Sequence, residues 1–249
     1  MPRSLINKRL EVARIVESAI LSGLLKPGAR LPEIRLGREL GVSQAIVREV
    51  LQDLESLGLV VKRPNGGSCV VELSADDLVA IYQVRRELEP LACGLAAVHR
   101  TGADIIAMDN CLAAMAESAT APDFARYSAA DIRFHRLIWT AQPNRFLQKS
   151  IEAVCLPLFA YDQIGRSAAA AIDYNRVTRQ HEIVLTAIKT GDAERASTLM
   201  RRLMPRWLRA HMADFQRIQP ASAEQSTVPD AVYASLRASF AAGLPRQPE

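Results

Sequence analysis

The stretch Leu40-Gly41-Val42-Ser43 constrains this chain more than any other, because it joins two short runs of helical periodicity by a turn that few folds use. Leu31-Pro32-Glu33 opens the first run, which ends where Gly41 supplies a left-handed stop. Ser43 stands at the N-cap of the second, expected over residues 44–57. Two short helices so joined have helix-turn-helix spacing. Upstream, Leu10, Ala13, Val16 and Ile20 recur at helical spacing over residues 7–22, and Lys26-Pro27-Gly28 closes that segment as a turn. Downstream, LVVKR and SCVVEL flank PNGG as a hairpin of wing size. Residues 1–73 therefore read as a winged helix-turn-helix domain.

The pattern changes at Ser74, an N-cap followed by Asp76 and Asp77 in a first helical turn. Long amphipathic stretches succeed one another over residues 76–100, 102–118, 123–141, 144–166, 170–190 and 192–215. Short connections between them imply an all-helical antiparallel bundle over residues 74–218, so the chain is mainly α. The composition agrees, with 49% apolar residues and only 5% aromatic ones, a balance that suits helices packed on helices. Residues 219–249 mix Pro, Ser, Ala and Gln and read as a largely disordered tail, in which DAVYASLRASFAAGL can form a short helix against a partner.

A formal charge of +4 is too mild to identify a polyanion-binding protein unaided. Cys69, Cys93, Cys111 and Cys155 have neither CxxC spacing nor the density of a disulfide scaffold, so reduced, packed thiols and a cytoplasmic location are expected. No apolar run is long enough to span a bilayer, and the N-terminal sequence lacks the apolar core of a secretory signal.

A recognition helix presents its N-terminal side chains to base edges while flanking cations hold phosphates. Ser43, Gln44 and Ala45 occupy that N-terminus, and Arg48 follows one turn after Gln44 on the same face. Arg35 and Arg38 on the preceding helix, with Lys62, Arg63, Asn65 and Gly66 at the wing, are candidate backbone or minor-groove contacts. Any such pair taken singly can equally be a solvated helix face.

Over GLLKPGARLPEIRLGRELGVSQAIVREVLQDLESLGLVVKRPNGGSCVV the chain resembles the GntR-type regulators, and within them the FadR-like branch. The resemblance implies that Arg48 and residues 43–47 meet an operator, with Gly66 at the wing tip. Many relatives carry Arg where Gln44 stands and Pro where Ile46 stands, so their operator preference does not transfer. QVRRELEPLACGLAA, DIRFHRLIWTAQPN and HEIVLTAIKTGDAERA resemble, in order, the helical FCD ligand-binding domain of that branch.

Asp131 and His135 lie four apart on one helix face and can converge on one ion. His181 can complete the set from a later helix with ligands that suit zinc or nickel. The family's metal-binding members usually add a further His at the position held here by Leu203. Three protein ligands can still hold a metal with open positions, and the loss equally fits a pocket that takes its effector without metal. Arg85 matches a position that faces the effector pocket and could clamp an organic acid; alternatively it pairs with Glu89 one turn on.

The resulting expectation is a homodimeric, DNA-binding transcription regulator, a repressor by family habit, controlled by a carboxylate metabolite. Two other classes remain: a metalloenzyme built on Asp131, His135 and His181, which lacks a nucleophile motif or phosphate loop, and a module whose helical half only dimerises.

Overall fold

The computed structural model describes residues 3–64, 66–120, 123–167, 173–217 and 227–242. Along the chain the elements are α1 (Arg3–Leu21), α2 (Glu33–Leu40), α3 (Gln44–Ser56), β1 (Val60–Arg63), β2 (Gly67–Val70), α4 (Ala75–His99), α5 (Gly102–Thr120), α6 (Phe124–Thr140), α7 (Arg145–Ser167), α8 (Tyr174–Thr190), α9 (Ala193–Arg217) and α10 (Asp230–Ala242). They form two compact units, one of residues 1–72 with 220–249 and one of residues 73–219.

The first unit is a winged helix-turn-helix. Gly41 takes the left-handed conformation at φ 63° and its N–H closes the last turn of α2, while Ser43 Oγ accepts a hydrogen bond from Ile46 N at the start of α3. The turn is tight because Gly37 has no side chain: a Cβ there would stand 2.9 Å from the Val42 carbonyl oxygen. α1 packs against α3, and Val12, Val16, Leu36, Val50 and Leu54 bury one face of each helix in a common core. β1 and β2 pair antiparallel from Val60 opposite Val70 to Arg63 opposite Gly67. Arg30 adds a bridge to Cys69, giving the wing the stub of a third strand.

The short helix expected in DAVYASLRASFAAGL is present over Asp230–Ala242, and what is corrected is the surface it packs on. This segment is helical and packs on α1 and α2 of its own chain. Val228, just ahead of the helix, and Tyr233 and Leu236 on one of its faces are buried there, and apolar area of that size outweighs a composition that reads as polar filler. Residues 219–226 and 243–249 of the expected tail, like Asn65 at the wing, lie outside the described residues.

The second unit is a bundle of α4 to α9, with α4 packed chiefly along α9 and also against α6, α7 and α8. Ser74 and Asp77 form a reciprocal capping box at the start of α4. Pro90 lies inside α4 and cannot donate to the carbonyl of Arg86; Arg201 Nη1, from α9, donates to that carbonyl at 3.0 Å. The helix thus continues through a proline because its neighbour satisfies the group that the proline frees. Trp139, Tyr127 and Phe134 fill the interior. All four cysteines are buried and free. Among the described residues, no helix is long and apolar enough to cross a membrane.

Candidate functional site

In the first unit, Ser43 caps α3 and Gln44, Ala45 and Arg48 stand on its N-terminal half, open to solvent on at least one side. Their alignment has a specific cause. Glu33 Oε2 accepts from Gln44 Nε2 at 2.9 Å and from Arg48 Nη2 at 3.0 Å, so one carboxylate from the start of α2 holds two side chains of α3 on one face. Those hydrogen bonds keep the Glu33 carboxyl below its ordinary pKa. The other described candidate cations are also paired: Arg35 with Asp230, Arg38 with Glu39, Lys62 with Glu55 and Arg63 with Glu72. Such surface pairs contribute about 0–1 kcal/mol each and exchange readily for a stronger anion. Gly66 sits at the wing turn, its N–H bonded to the Arg63 carbonyl. Sequence reading names the cations of this face and misses Glu33 and Asp230, because the carboxylate that meets a given cation depends on the fold.

In the second unit, Asp131, His135 and His181 come together and all are buried. His181 Nε2 lies 3.1 Å from Asp131 Oδ1 and 3.2 Å from His135 Nε2, and the third edge, His135 Nε2 to Asp131 Oδ1, is 3.7 Å. The Nδ1 atoms face away from this triangle. His181 Nδ1 donates to the Val177 carbonyl at 2.8 Å, and His135 Nδ1 faces Glu89 Oε2 at 3.2 Å. A neutral His181 that donates from Nδ1 carries a lone pair on Nε2, and the carboxylate of Glu89 favours the same tautomer for His135.

Two lone pairs and a carboxylate oxygen then converge in a buried space, an arrangement that repels itself unless a cation or an extra proton lies between them. Edges of this length suit ligands about 2.0–2.2 Å from one ion, and histidines whose second nitrogen is tied to a carboxylate or carbonyl are the usual support for such a centre. The residues therefore fit a divalent metal. Leu203 and Trp207 are both buried on α9, and Trp207 stacks on His181 with ring centroids 5.3 Å apart.

Arg85 makes the pair with Glu89 that its spacing allows. Arg85 Nε donates to Glu89 Oε1 at 2.6 Å with both side chains almost wholly buried. Its guanidinium lies 4.7 Å from the Tyr82 ring centroid. Burial pushes the Glu89 carboxyl up, but the Arg85 guanidinium and the neighbouring His135 outweigh it and lower the carboxyl pKa to about 2. Arg85 is thus already neutralised by Glu89, and it joins the cluster as the far end of a chain from Arg85 through Glu89 to His135. His211 of α9 is engaged with the Tyr82 hydroxyl at 2.7 Å.

The chain matches "Bacterial regulatory proteins, gntR family" over residues 8–70 and "FCD domain" over residues 80–206. It belongs to the GntR family. Within that family it is 30% identical to the probable D-xylose utilization operon transcriptional repressor of Paenarthrobacter nicotinovorans, over 75% of this chain and 80% of that one. It is also 30% identical to the putative L-lactate dehydrogenase operon regulatory protein of Escherichia coli strain K12, over 80% of this chain and 83% of the relative. Among solved structures, E. coli McbR/YncC superposes with a TM-score of 0.73 at 23% identity, covering 85% of this chain and 99% of that one. This GntR chain is accordingly a transcription regulator, and the relatives named here are regulators rather than enzymes.

Proposed function

We propose that this GntR regulator binds operator DNA as a homodimer, in the manner of a repressor, and that an organic acid held at a metal centre in the FCD unit changes its operator affinity. The observation that carries the reading is the exposed face of α3, where Gln44 and Arg48 are held side by side beside a glycine-tipped wing. Gln44 can read adenine with two hydrogen bonds, and Arg48 can meet guanine or a phosphate. Ser43, Ala45, Arg38, Lys62, Arg63 and Gly66 complete the contact face, with Arg35 at its edge.

Pairing is supported by α4. Val84, Leu91 and Val98 are exposed large apolar residues there, and Leu88 and Leu95 between them give alternating spacings of four and three. That spacing is the seam on which two helices pair. Two copies would place two recognition helices in successive major grooves about 34–36 Å apart.

Asp131, His135 and His181 would hold the ion, which would supply a Lewis-acid anchor for an anionic ligand at positions that the protein leaves open. A carboxylate is favoured as effector because the ion, rather than the neutralised Arg85, is then the group that needs an anion. Two relatives are named for hydroxy-acid operons, the putative L-lactate dehydrogenase operon regulatory protein and the gluconate operon transcriptional repressor of Bacillus licheniformis.

Selection of duplexes from a random pool tests the reading, run with zinc or nickel and with and without a panel of hydroxy acids. Enrichment of a two-fold symmetric site whose recovery changes with one acid supports it. No enriched sequence under any condition would overturn it.

A further inference from the structure

The first unit takes in residues 1–72 and, after the whole second unit, residues 220–249, so the DNA-reading unit is built from both ends of the sequence. The returning segment is anchored by the buried side chains of Val228, ahead of α10, and of Tyr233 and Leu236 on it. Its charged groups meet α2 in two places, Asp230 with Arg35 and Arg237 with Glu39. The Arg35 guanidinium also lies 3.9 Å from the Tyr233 ring centroid. Arg35 is thus held between an aromatic face and a carboxylate, both supplied by α10. An open groove of about 710 Å³ runs past this point, lined by Arg35, Gln44, Lys62 and Gly66 of the reading face and by Val228 and Tyr233 of the returning segment.

We infer that α10 is a working part of the DNA site, in which Asp230 occupies Arg35 as a stand-in for a DNA phosphate and must be displaced for full operator contact. The inference rests on the DNA-binding reading given above. It follows from three features of the contact. The groove lined by residues of the recognition helix and the wing is lined also by Val228 and Tyr233 of the returning segment. The carboxylate is the same kind of anion that the duplex offers. Asp230 is 94% exposed while Arg35 is only 28% exposed, so the acid can swing into water while Tyr233 keeps the guanidinium in place. Once displaced, the Asp230 carboxylate is left beside the duplex and repels it, and salt screens that repulsion. The wild-type chain should therefore show a shallower salt dependence than its cations alone would give.

The test is a titration of the pool-selected duplex with the full-length chain, Asp230→Asn and Glu194→Gln, across a range of salt. Glu194 is an exposed acid of the second unit and controls for net charge. The expected result is tighter binding by Asp230→Asn, about 3- to 10-fold at low salt, a gain that shrinks as salt rises and so steepens the salt dependence. Glu194→Gln should match the unaltered chain. Equal affinity and slope for Asp230→Asn, an equal gain from Glu194→Gln, or weaker binding by Asp230→Asn would each overturn the inference. A thermal melt of each variant establishes that the fold is intact, which the exposure of Asp230 favours. If the unaltered chain selects no duplex, the DNA reading itself falls; if it does and Asp230→Asn behaves as the parent, only this inference falls.

Discussion

Glu89 shows how far one residue can matter without being an obvious ligand. It accepts from a buried arginine with one oxygen, faces a candidate metal ligand with the other, and lies 3.3 Å from the Cys155 sulfur. Removing it strands Arg85 as an uncompensated charge, so Glu89→Ala should destabilise the FCD unit by about 3–5 kcal/mol in urea unfolding. The pH dependence has a definite sign. The folded carboxyl is lowered from 4.5 to about 2, so its contribution is complete above about pH 4.5 and is lost as pH falls towards 2. Acid unfolding followed by circular dichroism should lose part of its steepness over that interval in Glu89→Gln. The sequence shows Glu89 only as a helix neighbour of Arg85. That His135 faces its second oxygen depends on how α4 and α6 pack, which one-dimensional spacing does not encode. Asp131 and His135 were legible because both lie on one helix, and His181 because the resemblance supplied it.

The same division holds among elements. The turn between α2 and α3 was legible because its determinants are local: a left-handed glycine and a capping serine close in sequence to what they bond. Gly37 extends that argument. Gly37→Val places a side chain against the Val42 carbonyl, and an expected loss of about 1–3 kcal/mol should appear as a lower melting temperature together with weaker duplex binding. The helix of α10 is legible in DAVYASLRASFAAGL, but its place is not, because its weak amphipathic pattern does not say that α1 and α2 of the same chain bury it. Pro90 and Pro205 also lie inside long helices, and at Pro90 the cause is again tertiary, since a side chain of α9 satisfies the carbonyl that the proline frees.

At the scale of the molecule, the proposal is a dimer whose two reading units address one symmetric site. Leu91 stands at the middle of the apolar seam on α4 and is 49% exposed in the single chain. Leu91→Asp should convert the dimer to a monomer in sedimentation analysis while leaving the melting temperature of the fold nearly unchanged. Operator affinity should fall with it, because a monomer forfeits the second half-site. Chelation of divalent ions should lower the melting temperature of the unaltered chain, and added zinc or nickel should restore it. His181→Leu should abolish that response.

Recognition of DNA by α3 through Gln44 and Arg48 is decided by the affinity of the selected duplex for Arg48→Ala across salt concentrations. Binding should weaken by about tenfold, with either a relaxed preference at one position of the half-site or a salt slope smaller by about one. Affinity, preference and slope all equal to those of the unaltered chain would contradict it.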